Sequence, residues 1–134
     1  MSDSSRRKSV RIEGAFHSGA PYTPAVVVSP FVFVSGAVPY SLVDGSPIGS
    51  DITTQTAQVL DNIERLLAEV GLTLDDVVKT TVFLTDSSLA GGMNEVYRTR
   101  FTSPYPARST VQVGPLARPE YLIEVEAIAL ERPN

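Results

Sequence analysis

The 134-residue chain contains no cysteine, no tryptophan and only one histidine, His17. The lack of cysteine excludes disulfide staples, thiolate metal sites and thiol nucleophiles, and a single imidazole cannot form a histidine ligand cluster. Positive charge is also scarce, with 11 Lys and Arg against 15 Asp and Glu, a net charge of -4 and a pI near 4.9. With no surplus of cations to replace the counterions of a phosphate backbone, nucleic acid is not an expected partner. The longest apolar stretch, residues 25 to 38, is broken by Pro30 and Gly36, and it is shorter than the roughly 20 residues of a spanning helix. The basic start Arg6-Arg7-Lys8 runs into Val10-Arg11-Ile12-Glu13 instead of an apolar segment. No secretory signal and no membrane association are therefore read, and a cytoplasmic location is the default expectation.

What is present describes a globular domain. Hydrophobic residues make up 43% and charged residues 19%, too apolar a mixture for a disordered chain and long enough to bury one core. A polar tail over residues 1–8 and a single domain over 9–134 are expected, with Val10 and Ile12 alternating with charges in a short edge strand. Ala25-Val-Val-Val28 and Phe31-Val-Phe-Val34, separated by Ser29-Pro30, read as a hairpin. Residues 39–50, with Asp44-Gly-Ser-Pro47, read as a loop. Ile52, Thr56, Val59, Leu60, Ile63, Leu66, Leu67 and Val70 recur at helical spacing between a cap at Ser50 or Asp51 and a stop at Gly71. Residues 77–85 have strand composition, with Val78, Val82 and Leu84 expected on one face and Phe83 on the other. Leu89, Met93, Val96 and Tyr97 mark a second, shorter helix despite Gly91-Gly92. Two strands, 108–113 and 122–130, close the order β-β-β-α-β-α-β-β, an α+β arrangement with two helices on one face of a mixed sheet.

Two charges stand out inside the last two strands: Arg108 in Pro106-Ala-Arg-Ser-Thr-Val111 and Glu124 in Ile123-Glu-Val-Glu-Ala-Ile-Ala129. A lone charge in an apolar strand needs a partner, a ligand or solvent. On the residues alone, a structural ion pair or two exposed edge residues compete with a binding site. If the two charges face one cleft from antiparallel neighbouring strands, opposite residues must have numbers with an even sum, and an odd register without a bulge would put them on opposite faces. Other polar residues have dull readings too. His17 suits an ordinary solvated loop or a cleft wall, Glu126 a structural role, and Tyr22 either a cleft or the core.

These two segments resemble the signature of the Rid family, the reactive intermediate deaminases also called YjgF. The resemblance continues through Ala20-Pro-Tyr22, Phe33-Val-Ser-Gly-Ala-Val-Pro39, Gln58-Val-Leu-Asp-Asn-Ile63, Val77-Val-Lys-Thr-Thr-Val-Phe83 and Asn94-Glu-Val-Tyr97. It implies a fold like that of monofunctional bacterial chorismate mutase, a homotrimer with a ligand cleft at each subunit interface, and neither cofactor nor catalytic metal. The implied chemistry is hydrolysis of enamines and imines such as 2-aminoacrylate and 2-iminopropanoate to 2-oxo acids and ammonia.

Carried over by position, the family's carboxylate-binding arginine falls on Arg108 and its water-orienting glutamate on Glu124. Its cleft tyrosine falls on Tyr22, its serine and glycine on Ser35 and Gly36, and its asparagine on Asn94. Thr110 takes a position often held by cysteine, where the backbone carbonyl is implied to help hold the water. Ala20 and Pro24 depart from the family's usual residues and leave the preferred substrate open. A hydrolase acting on a larger enamine or imine, a non-catalytic trimer binding small carboxylates, and an RNA-acting trimer are the alternatives.

Overall fold

The computed structural model describes residues 6–133. Six strands form one mixed sheet in the order β1-β2-β3-β6-β4-β5. They are β1 (Lys8–Val10), β2 (Ala25–Val28), β3 (Phe31–Ala37), β4 (Val77–Leu84), β5 (Ala107–Gln112) and β6 (Ile123–Leu130), with helices α1 (Ile52–Ala68) and α2 (Ala90–Arg100). The α+β class and the element order read from the sequence are those observed. Lys8 already pairs with Val27, so regular structure starts inside the stretch read as a tail. Residues 1–5 of that tail lie outside the described residues.

Period-two alternation builds the sheet. Ala25, Val27, Val32, Val34, Ile123, Val125, Ala127 and Ala129 are buried on one face, and α1 covers them with Val59, Leu60, Ile63, Leu66 and Leu67. Burying each large aliphatic side chain is worth about 1.5–3 kcal/mol, which is why this face and not the other carries the core. Asp51 caps α1, its carboxylate accepting from the Thr54 N–H at 2.7 Å and the Thr53 hydroxyl at 2.9 Å. The helix α2 has no side-chain cap; its first turn follows a 3-10 turn, Ser87–Leu89, capped by Asp86. Gly92 lets it approach α1, since a Cβ there would lie 2.6 Å from Ile52 Cγ2.

Two irregularities change the sequence reading. The β4–β6 register shifts between Val77 and Lys79, a bulge that turns Val77 inward at 5% exposure and leaves Val78 42% exposed. The inner face of β4 is therefore Val77, Thr80, Val82 and Leu84, and Val78 is not part of it. The second shift lies between Val34 and Ala37, where β3 pairs with β6. It places Ser35 and Gly36 in a bulge at the end of the sheet.

Candidate active site

Glu124 sits on β6 between the buried Ile123 and Val125, so its side chain leaves the sheet on the face away from the helices. The Ser35-Gly36 bulge opens the space beside it. A Cβ on Gly36 would collide with Glu124 Oε2 and lie 2.9 Å from Cδ, so only glycine leaves the carboxylate where it is. The Ser35 hydroxyl donates to the Thr23 carbonyl, and the Ser35 N–H to the Pro24 carbonyl at 2.9 Å, tying the bulge to the segment that carries Tyr22. Tyr22, Ser35, Gly36 and Glu124 line one cavity of about 470 Å3, together with Ala20 and Pro24.

The electrostatics of Glu124 suit proton transfer. Half-burial pushes its carboxyl above the usual value, and the negative charge of Glu126 on the same strand adds to the effect. Among the described residues no ion pair engages it. Tyr40, on the same cavity, is also raised, first by burial and then by Tyr22 and Tyr121, which keeps its hydroxyl a donor at neutral pH.

Two buried amides hold the frame, and sequence reasoning passed over both. Gln55 of α1 is fully buried; its Nε2 donates to the carbonyls of Gly49 at 3.0 Å and Glu120 at 2.8 Å, and its Oε1 accepts from the Leu122 N–H at 2.8 Å. It thereby fixes the start of β6 two residues before Glu124. Asn62 lines the cavity and donates to the carbonyls of Val38 at 3.2 Å and Tyr40 at 3.0 Å. The available signal was position: both interrupt the apolar stripe of α1, where an amide must find partners.

Arg108 lies elsewhere. The strand β5 pairs in parallel with β4, not with β6, and aligns Arg108 with Thr80, while Glu124 aligns with Phe83 across the antiparallel β4–β6 pair. The expectation that Arg108 and Glu124 occupy neighbouring strands is thus corrected: β4 lies between them. Thr80 is buried on the helix side, its hydroxyl 2.8 Å from that of Tyr97 on α2, so Arg108 shares that side. Its guanidinium rests 4.7 Å over the Tyr97 ring and reaches Met93 Sδ at 3.8 Å. Thr110 follows on the same face of β5, aligned with Val82, and Asn94 follows Met93 on half-exposed α2. Within one chain, Arg108 and Thr110 are on the helix face at the β5 edge, and Glu124 leaves the opposite face into a cavity that Tyr22, Ser35 and Gly36 share with Asn62, Ile63 and Leu66 of α1.

Each half has a recognisable chemical use. One offers a guanidinium backed by an aromatic ring and, among the described residues, without an ion-pair partner, suited to a carboxylate; the other offers a carboxylate of raised basicity in an open cavity, suited to taking a proton from water. A small α+β domain with a half-buried carboxylate on a cavity and a guanidinium at the far edge of the sheet is the class these observations define. Residues 12–131 match the family model described as Endoribonuclease L-PSP. The chain is 44% identical over 109 residues to a RutC family protein of Pyrococcus abyssi, covering 81% of this chain and 85% of that one. It is 36% identical over 113 residues to the 2-iminobutanoate/2-iminopropanoate deaminase of Mus musculus, covering 84% and 83%. The crystal structure of RidA from the Antarctic bacterium Psychrobacter sp. PAMC 21119 superposes with a TM-score of 0.86 at 32% identity, covering 92% of this chain and 99% of that one. The chain belongs to the Rid (YjgF/RutC) family.

Proposed function

We propose that this protein hydrolyses reactive imines and enamines to 2-oxo acids and ammonia without a cofactor, at sites completed between copies of the chain. The observation that carries the reading is the Glu124 carboxylate, raised in basicity and facing an open cavity beside a glycine that any side chain would close. The 2-iminobutanoate/2-iminopropanoate deaminase of mouse, a relative over most of the chain, supports the same chemistry.

An iminium carbon is already strongly electrophilic, so the protein has to orient the substrate and position a water. Arg108 of one copy binds the substrate carboxylate through two parallel charge-assisted hydrogen bonds. Glu124 of the next copy accepts a proton from the water as its oxygen adds to the imine carbon. Returning that proton to nitrogen makes the amine a leaving group; as the C–N bond breaks, Glu124 takes the proton of the new hydroxyl, whose oxygen becomes the carbonyl of the 2-oxo acid, and ammonia departs, with that proton passing to ammonia or solvent. An enamine substrate first takes a proton on its terminal carbon. Tyr22 and Ser35 wall the cleft, Gly36 keeps it open, and the Thr110 carbonyl and Asn94 complete it from the Arg108 side.

A second copy is required by the geometry of the proposal, because one sheet separates the two charges. Its docking surface is the face without helices, where Phe31, Phe33, Val111 and Leu130 are each more than 40% exposed and so form an apolar surface that calls for cover. A homotrimer is the proposed assembly. The net charge of -4 favours a small carboxylate substrate over RNA. The direct test is ammonia release from freshly generated 2-aminoacrylate: acceleration by the protein supports the reading, and a rate equal to that of buffer would overturn it.

A further inference from the structure

The single histidine of the chain lies in an irregular, partly exposed segment, yet its ring is held on several sides. His17 lines the Glu124 cavity, and its ring lies 4.9 Å from that of Tyr22, tilted by 31°. Both ring nitrogens meet backbone. The Gly19 N–H points at Nδ1 at 2.9 Å, and Nε2 is 3.2 Å from the Tyr22 carbonyl oxygen. An N–H can only donate and a carbonyl can only accept, so both contacts hold together in one form alone: the neutral ring with its proton on Nε2.

We infer that His17 is a positioning residue that seats Tyr22 in the cavity wall through its neutral Nε2–H tautomer, and that charging the ring releases the Gly19 end of this brace. A proton on Nδ1 would face the Gly19 N–H donor to donor, while the Nε2 bond and the stacking on Tyr22 would persist. The segment 17–22 would then be tied at one end only. The charged and titratable groups sharing the cavity are Arg11 and Arg118 from its mouth, Tyr22, Tyr40 and Tyr121 from its walls, and Glu124 from β6.

The inference rests on the proposed function only for what Tyr22 serves, and its first test does not use activity. Because there is one histidine, imidazole 15N resonances of the labelled protein report on His17 without ambiguity. At pH 8 they are expected to show the Nε2–H tautomer, with a coupling across the hydrogen bond between Gly19 N and His17 Nδ1. On acidification that coupling should vanish as the ring charges, and the Gly19 amide should exchange about tenfold faster after correction for pH, the ratio that matches loss of one ordinary hydrogen bond. A ring found in the Nδ1–H form at pH 8, or a Gly19 amide indifferent to the titration, would overturn the inference.

Activity supplies a separate reading. His17→Ala should raise KM for an imine substrate about fivefold with kcat nearly unchanged, as expected for the loss of one hydrogen-bonded support. His17→Asn, whose amide oxygen can still accept from Gly19, should recover most of that KM. Unaltered amide shifts in the sheet would verify that both variants fold. Equal KM values for wild type and His17→Ala would contradict a positioning role. If the resonances behave as expected in a protein that hydrolyses no imine, the proposed function falls while the tautomer and its release stand.

Discussion

Glu124 and Arg108 show how far single residues can be read and where the reading stops. Each was legible as a lone charge in an apolar strand; of the two bland alternatives, an ion pair between them within one chain is excluded because they leave opposite faces of the sheet, whereas Arg108 does stand on the exposed edge strand. Arg108→Ala removes the fork that would hold the substrate carboxylate; a loss of about 3 kcal/mol of transition-state stabilisation predicts a fall in kcat/KM on the order of 100-fold. Arg108→Lys should recover little of it, since charge returns without planar bidentate geometry. Glu124→Gln should leave carboxylate affinity nearly intact and depress turnover. The same substitution also has a thermal signature. Glu124 has a raised pKa in the folded chain, so the native state holds its proton more tightly than the unfolded state, and stability falls as pH rises through that interval. The glutamine variant should therefore melt at a higher temperature than wild type above the folded pKa, and the gain should disappear below the ordinary carboxylate range. A calorimetric pH series checks it; a lower melting temperature for the variant at pH 8 would contradict the raised pKa.

At the scale of elements, periodicity placed α1, β2 and β6 to within one or two residues and the start of β3, because each is an apolar stretch of regular spacing, but β3 runs on to Ala37, past the Val34 where the alternation stops. The bulges were not legible. Val78 reads as an inward residue by alternation, and only the partner strand β6 shows that Val77 takes that place. Ser35-Gly36 likewise reads as a strand end until the pairing of β3 with β6 makes it the opening in front of Glu124. Which strands are neighbours depends on the whole chain: α2 carries the backbone over to a parallel β5 on the far side of β4, so numbering parity between 108 and 124 decides nothing. Two substitutions test the elements. Asp51→Ala removes the α1 cap and should cost about 1 kcal/mol in a denaturation series. Gly36→Ala should displace the Glu124 carboxylate and lower kcat while α1 and the core melt normally; wild-type kcat in that variant would mean that the bulge has no part in the chemistry.

For the whole molecule, the distribution of apolar surface matters more than its amount. Helices cover one face of the sheet, and the other exposes Phe31, Phe33, Val111 and Leu130, so scattering or sedimentation should give a mass near three chains. A stable monomer at micromolar concentration would remove the surface on which the two halves of the site are proposed to meet. No helix among the described residues is long and apolar enough to cross a membrane. That Arg108 and Glu124 leave opposite faces of the sheet was not legible from the residues, which stand 16 positions apart and look like partners within one chain; only the family resemblance pointed to a cleft between subunits.

Mixing two inactive variants tests the shared site most directly. Arg108→Ala retains Glu124, and Glu124→Gln retains Arg108; each alone should be nearly inactive in imine hydrolysis. If the two charges meet between copies, unfolding and reassembling an equal mixture creates interfaces with one intact half from each variant. In a cyclic trimer with random mixing, about a quarter of the sites would have both intact residues, so activity should return to about a quarter of wild type. A site contained within one chain would gain nothing. Correctly assembled mixed trimers with no more activity than the separate variants would contradict a site shared between subunits.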